Sequence, residues 1–497
     1  MKKILGSIFS RTFTTILLML LQVIILMFIM LELCNYFYIF YILFIGISII
    51  IAISILSNND TPDFKYPWVI VIAIFPIFGG IFYLIYGRYR NKKKKYVVKK
   101  SKYIYQDEKI IKKLKSDLDV YSQVNYVSSK NHMPVYNNSK VTYFPTGEKA
   151  FKRMLIELKN AKKFIFIEYY IIKQGIMWNS ILEILKEKAK DKVDVRIIYD
   201  DIGCSKSLPT KYFHQLEKYG IKCISFNKFS AIYNLNYNNR DHRKIMNIDN
   251  RVCFTGGINL ADEYINEVSR LGYWKDNCIL IEGDAVRSFT YIFLKTWNFE
   301  RKFDKSFNKF FVENKSIKSR EFVQPYWSNP FNKELVAYTV YMNLINSANK
   351  YVYIMTPYLS VGYDMINALC MAAKRGVDVR IITPYIYDKK IVEKITKSNY
   401  NLLIDSGVKI YEFRPGFIHS KTIISDDRIG VVGTINFDYR SLRHNYECAV
   451  LIATPKTIKV IKKDFINTFN ESSKIEQPKE VRNKWVIGIL RFLGPLV

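Results

Sequence analysis

Three long apolar runs open the chain, and alternating helical and strand periodicities fill most of the remainder. Residues 12–31, 36–56 and 68–86 are almost unbroken hydrophobic stretches, with the short break Glu32-Leu33-Cys34-Asn35 between the first two. Each is about the 20 residues that span a bilayer core. No small-residue cleavage site follows the first run and further runs come after it, which argues against a removable signal peptide. Residues 101–140 are polar and mixed and read as a linker. Beyond them FKRMLIELKNA, WNSILEILKEKAKD and LPTKYFHQLEKYG predict helices, while KFIFIEYYII, VDVRIIYDD and IKCISF predict strands. The order then returns. LVAYTVYMNLINSA, MINALCMAAKRG and IVEKITKSNYNLLIDSG predict helices, and YVYIMTPYL, VDVRIITP and VKIYEF predict strands. The string VDVRII occurs at 193–198 and again at 377–382, which marks an internal repeat. Alternation of this kind predicts an α/β fold of two pseudo-symmetric lobes with mixed sheets, preceded by N-terminal transmembrane helices. The expected boundaries are a membrane segment at 1–100, a linker at 101–140, a first lobe at 141–320, a second at 321–475 and an apolar tail at 476–497. That tail, ending KWVIGILRFLGPLV, is too short to span; it either lies in a membrane interface or packs on the body.

Charge adds a partner class. Lys and Arg number 75 against 44 acids, a formal net charge of +31. Such a surplus suits a polyanion: nucleic acid, an anionic membrane face or an acidic substrate. It is dense between Gly87 and Lys102, where nine basic residues follow the third apolar run, against three (Lys2, Lys3, Arg11) at the N-terminus. The positive-inside rule therefore puts the rest of the chain in the cytoplasm. Three full spans would leave the N-terminus outside, against its own charges; a re-entrant or interfacial run would leave two crossings, and both topologies stand. The seven Cys are scattered without a C-x-x-C pair, which fits reduced thiols and neither a disulfide frame nor a zinc site.

The candidate chemistry is duplicated. NNRDHRKIMNIDNRVCFTGGIN and FIHSKTIISDDRIGVVGTIN both contain H-x-K-x(4)-D followed by a Gly-rich turn and an Asn: His242, Lys244, Asp249 and Asn259 in one, His419, Lys421, Asp426 and Asn436 in the other. In both the Asn falls 17 residues after the His. Each motif reads as a strand, on which residues two apart share a face, so an imidazole and an ammonium would together receive a phosphate. The Asp has the opposite parity and falls at a turn, where a structural role is as well founded as a chemical one.

These motifs, with Gly256-Gly257-Ile258-Asn259 and Gly433-Thr434-Ile435-Asn436 behind them, resemble the phospholipase D superfamily. Within it KYPWVIVIAIFPIFGGIFYLIYGR, GGINLADEY, Trp274-Lys275-Asp276, TPYL, GTINFDYRS and the terminal GPLV resemble the bacterial cardiolipin synthases over roughly 65–497. The resemblance implies transfer of a phosphatidyl group between two phosphatidylglycerols. One His, assigned as His242 by family analogy, attacks phosphorus, and the other, His419, serves as acid and then base. Lys244, Lys421, Asn259, Asn436 and the Thr434 hydroxyl are expected to hold phosphate oxygens. Glu447, 28 residues after His419, sits where the family places the carboxylate that orients its His, and Asp276 is the candidate for His242. No metal or cofactor is expected, since two Lys supply the positive charge. The expected partners are phosphatidylglycerol and anionic membrane lipids, with no nucleic acid. Rival readings are a phospholipase D hydrolase or phosphatidylserine synthase, a membrane-anchored nuclease of the same superfamily, and a lipid-binding scaffold with a decayed site.

Overall fold

The computed structural model describes residues 11–32, 37–58, 62–84, 102–228, 239–301, 307–311, 317, 319, 321–332, 334–477 and, in the tail, 485, 488, 489 and 492. The basic run from 87 to 101 and most of the tail lie outside the described residues. The chain divides into two units, an N-terminal helical one and one that carries both sheets.

In the first unit α1 (Arg11–Glu32), α2 (Phe37–Ser57), α3 (Pro62–Ile74) and α4 (Pro76–Phe82) follow one another. Among the described residues one helix is long and apolar enough to cross a membrane, Tyr38–Ser57, 20 residues with a mean hydropathy of 2.9; Leu17–Phe28 and Lys65–Ile74 are shorter apolar pieces. The third apolar run is not the single straight span its length predicts. Pro76 lacks an N–H and cannot continue the preceding helix. Phe75 leaves helical geometry (φ −125°, ψ 74°), and α4 doubles back on α3. At the return, Gly79 lies so close to the backbone of Val71 and Ile72 that any Cβ would collide. Trp68 meets Phe82 and Tyr83 with ring centroids 5.4 Å apart in both cases.

The second unit opens with α5 (Glu108–Lys113) and α6 (Leu118–Tyr126). This corrects the expected linker. Its sparse apolar residues, Ile111, Leu114, Val120 and Val124, all enter the main core, and Gln123 donates to the Val340 carbonyl at 3.0 Å. The polar outer faces of two short helices hid a helical period too brief to read.

The first sheet is built from β1 (Ser139–Phe144), β2 (Phe164–Tyr169), β3 (Asp194–Asp200), β4 (Lys222–Phe226), β5 (Lys244–Ile248), β6 (Val252–Gly256) and β8 (Cys278–Gly283), with β7 (Tyr273–Lys275) outside it. Its order is β1-β8-β6-β5-β2-β3-β4. The second uses β9 (Phe322–Ser328), β10 (Tyr351–Met355), β12 (Asp378–Pro384), β13 (Lys409–Phe413), β15 (Thr422–Ser425), β16 (Ile429–Gly433), β18 (Glu447–Ala453) and β19 (Ser472–Ile475); β11 (Leu359–Ser360), β14 (Gly416–Ile418) and β17 (Phe437–Asp438) lie apart. Its order is β19-β13-β12-β10-β15-β16-β18-β9. Without β19, the two orders superpose strand for strand. In each sheet three strands run parallel (β2, β3, β4 and β10, β12, β13) and the rest antiparallel, the mixed sheet that the repeat predicts. The crossover helices of the first lobe are α7 (Gly147–Lys159), α8 (Ile176–Lys190) and α9 (Tyr212–Glu217), with α10 (Val286–Glu300) on the other face. Those of the second are α11 (Val336–Asn346), α12 (Tyr363–Lys374), α13 (Lys390–Ser398) and α14 (Tyr400–Asp405), with α15 (Pro455–Asn470) following β18. IVEKITKSNYNLLIDSG is thus two helices broken at Asn399. One continuous core joins the sheets, combining Phe166, Ile245 and Trp297 with Trp327, Val431 and Val450. A second fills the far face of the first sheet, under α7 and α8, around Met154, Trp178, Ile197 and Phe254.

Candidate active site

Neither motif His lies on the strand that the sequence predicts for it. β5 and β15 begin at Lys244 and just after Lys421, so each His precedes its strand and is held by the other lobe instead. The His242 N–H donates to the Tyr446 carbonyl at 2.9 Å, and the His419 N–H to the Lys275 carbonyl at 2.7 Å. Two small pairings carry this exchange: Asp241 bridges to Tyr446, and β14 runs parallel to β7 with Ile418 opposite Lys275.

The side chains follow the backbone. His242 Nδ1 meets Glu447 Oε1 at 2.9 Å and Oε2 at 3.0 Å. His419 Nδ1 meets Asp276 Oδ2 at 2.7 Å. The pairing is crossed, which corrects the expectation that Asp276 would serve His242 and that Glu447 would serve the His of its own motif. The register explains it. Gly256 faces Cys278 across β6 and β8, and Gly433 faces Ala449 across β16 and β18. Asp276 and Glu447 therefore hold the same position, two residues earlier, where each strand starts at the edge facing the other lobe. Both carboxylates are fully buried, and each imidazole is less than a tenth exposed.

Two ammonium groups complete the centre. Lys244 Nζ donates to the His242 carbonyl at 2.7 Å, and Lys421 Nζ to the His419 carbonyl; each keeps further N–H groups for a ligand. Burial lowers Lys244 to about 8 and Lys421 to about 7, in spite of the attraction of Glu447 and Asp276. Burial also lowers His242, partly opposed by Glu447, with Lys244 and Lys421 adding to the depression. His419 goes well below the ordinary imidazole range through burial and the charges of Lys421, Lys244 and His242. The two imidazoles and the two ammonium groups thus feel one another as one cluster. Glu447 stays low because His242, Lys244 and the Thr434 hydroxyl outweigh its burial. Asp276, by contrast, is pushed up to about 7 by burial.

The remaining predicted residues divide. Asp249 and Asp426 stand outside the centre. Both occupy left-handed turns (φ 58° and 56°). Asp249 accepts from the N–H groups of Lys162, Lys163 and Phe164 at 2.7, 2.8 and 2.8 Å. Asp426 accepts from those of Asn349, Lys350 and Tyr351 at 2.8, 2.9 and 2.8 Å. Each pins the start of the neighbouring parallel strand, so the structural alternative for the motif Asp is the one observed. Thr434 is corrected as well: its hydroxyl donates to Glu447, and it is fully buried. Asn259 accepts from the Ile171 N–H at 3.1 Å and donates to the Tyr264 hydroxyl at 2.6 Å. Asn436 donates to Asp438 at 3.2 Å.

Several contributors lie in or near the quoted motifs without being singled out as site residues there. Tyr170 stands edge-on to His242 at 5.2 Å, and Tyr264, Trp274 and Phe417 enclose His419 at 5.4, 5.7 and 5.8 Å. Buried ion pairs flank both imidazoles: next to His242, Arg243 pairs with Glu168 at 2.9 Å and Arg240 with Asp200 at 3.3 Å, and next to His419, Lys275 pairs with Asp464 at 2.7 Å. In the second lobe the register puts Met355 and Ser420 where Glu168 and Arg243 stand. Gly257 is the one position whose need for glycine bears on the centre, because a Cβ there would occupy the Asp276 carboxylate.

Two mixed sheets, each supplying an imidazole and an ammonium to one buried centre, define a phospholipase D-like protein. The family described as "Cardiolipin synthase, PLD-like domain" matches residues 154–297 and 341–469, and the one described as "Phospholipase D-nuclease N-terminal" matches 46–88. The chain belongs to the cardiolipin synthase-like family of the phospholipase D superfamily. A Streptococcus mutans serotype c protein named only as uncharacterized is 43% identical over 443 residues, covering 86% of this chain and 96% of its own. The cardiolipin synthase of Alkalihalophilus pseudofirmus is 32% identical over 468 residues, covering 90% and 92%. The fold is shared with the crystal structure of phosphatidylserine synthase from Haemophilus influenzae Rd KW20, at a TM-score of 0.56 and 15% identity, over 75% of this chain and 96% of that one.

Proposed function

We propose that this protein is a cardiolipin synthase that moves a phosphatidyl group from one phosphatidylglycerol to a hydroxyl of a second, releasing glycerol. The observation that carries the proposal is the crossed pairing of each imidazole with the carboxylate of the opposite lobe. A carboxylate at Nδ1 keeps the proton on that nitrogen and leaves Nε2 free. Glu447, held ionised, fixes His242 in this form, which supports His242 as nucleophile. Its Nε2 bonds to phosphorus as the bond from phosphorus to the departing glycerol oxygen breaks. That oxygen takes its proton from His419 Nε2. In the second step the hydroxyl of the incoming lipid gives its proton back to His419, and its oxygen displaces His242 from phosphorus.

His419 must be cationic for the first step, although its burial and the charges of Lys421 and Lys244 oppose that before substrate binds. The anionic phosphodiester arriving between the two ammonium groups offsets their charge and restores the basicity of His419. Asp276, titrating near neutrality, is suited to share that proton. The same two ammonium groups stabilise charge on the non-bridging oxygens as phosphorus becomes five-coordinate. Membrane anchorage through α2 and its apolar neighbours, with the lobes on the cytoplasmic side, belongs to the same proposal and rests on the basic run after the third apolar stretch. The test is lipid mass spectrometry on a host lacking cardiolipin that expresses the chain. Cardiolipin is expected, and none with His242→Ala or His419→Ala; phosphatidic acid in its place would make the protein a hydrolase.

A further inference from the structure

The ribbon formed by β7 and β14 has two ends with different surroundings. One end runs directly into Asp276 and His419. At the other, the Tyr273 N–H donates to the Pro415 carbonyl at 2.9 Å and the Ile386 N–H to the Gly416 carbonyl at 3.5 Å. This seam gathers the loop before β7 and the loop after β12, one from each lobe. Both loops, and the first turn of α13 that follows the second, present apolar side chains to solvent: Val268 is 46% exposed, Tyr385 43%, Ile386 38% and, in α13, Ile391 59%. Cations are interleaved with them. Arg270, Lys389, Lys390 and Arg414 are exposed, with Arg414 stacked 4.3 Å from the centroid of the Tyr385 ring. The nearby acids include Glu267, Asp388, Glu393 and Glu471; Asp388 accepts from the Tyr358 hydroxyl at 2.8 Å, Glu393 pairs with Lys397 at 2.8 Å, and Glu471 lies beside Arg414, whose N–H donates to its carbonyl at 3.2 Å. The loop bearing Ile386 is braced from below by buried Tyr387, which meets Tyr400 at 3.5 Å.

We propose that this lip, Val268 and Arg270 from the first lobe with Tyr385 to Ile391 and Arg414 from the second, rests in the interface of an anionic bilayer and delivers lipid headgroups to the His419 side of the centre. Apolar tips ringed by Lys and Arg match a surface of anionic headgroups over acyl chains, and a soluble partner would need no such alternation. Reach agrees. Three residue steps along extended β14 lead from Gly416 to His419, roughly 10 Å. That is little more than the depth of one headgroup layer, about 5–8 Å. A phosphodiester held at the surface therefore comes within a short displacement of the imidazole, while its acyl chains stay in the membrane. The inference rests on the lipid-transfer reading for its purpose, but its test does not depend on turnover.

The experiment places an environment-sensitive fluorophore at Ile386→Cys, at Val268→Cys and, as a control, at Tyr219→Cys. All are made in the full-length chain with Cys34→Ser, the six other Cys being buried. Tyr219 is exposed in the first lobe, just ahead of the edge strand β4. In vesicles containing phosphatidylglycerol the labels at 386 and 268 are expected to shift to the blue and to be quenched by headgroup-level nitroxide lipids, with smaller changes in phosphatidylcholine vesicles; the label at 219 stays water-like. Water-like emission at 386 and 268 overturns the proposal. So does a blue shift that appears without vesicles and grows with protein concentration, since a second copy would then cover the lip. If the labels insert but no cardiolipin forms, the lip stands and the proposed reaction falls.

Discussion

At the scale of single residues, the site depends on which nitrogen carries a proton. Glu447→Gln would offer His242 Nδ1 an amide N–H in place of an acceptor, which moves the imidazole proton to Nε2 and removes the proposed nucleophile. A fall in kcat of about 10³–10⁴ is expected with KM little changed, by comparison with the matching change in other carboxylate–His pairs. Asp276→Asn should lower kcat as well, through the acid–base step. Steady-state kinetics separates this from a binding defect, in which KM would rise instead. The Lys pair sets the alkaline limit. Lys421 and Lys244 lose their protons near 7 and 8, so kcat/KM should fall as pH rises through that window. Lys421→Arg keeps its charge and should move this limb upward; an unchanged limb would mean that another group sets it. The acid limb comes from His242, whose lowered basicity keeps it neutral further into acid.

At the scale of elements, the turn aspartates act as staples. Asp249→Ala removes the acceptor for three N–H groups at the head of β2. We expect a loss of about 2–4 kcal/mol, seen as a lower Tm. Asp249→Asn keeps Oδ1 and two of those bonds and should lose about half as much, with kcat of the folded enzyme intact in both. A Tm unchanged by the Ala substitution would leave these bonds without energetic weight. This role was half legible in the sequence: the parity and the turn set the Asp apart from the His and Lys, but nothing local showed that it reaches the neighbouring strand. The repeat VDVRII and the helix–strand alternation gave the sheets because period and repetition are local properties. The crossed carboxylates were not readable, because they depend on which edge of one sheet meets the other. Pro76 was visible, yet a proline inside an apolar run is compatible with a kinked span; only the close packing of Gly79 on Val71 distinguishes a hairpin.

At the scale of the molecule, the two lobes share one core and one centre. Phe166 and Ile245 pack in the same cluster as Trp327 and Val450. Residues 141–320 expressed alone should therefore expose this apolar face and lack a carboxylate for His242. Limited proteolysis and circular dichroism are expected to show an unstable, aggregating product. A stable, cooperatively melting fragment would show that the shared core is dispensable.

The exchange of carboxylates bears on how such a chain arises. An arrangement in which each half lends an acid to the other's imidazole is what two identical half-length subunits would form about a twofold axis. Joining them in one polypeptide frees the copies from being alike. Here they have parted company around the imidazoles: three rings crowd His419 and one stands beside His242, so a symmetric ancestor's interchangeable positions can become a donor end and an acceptor end.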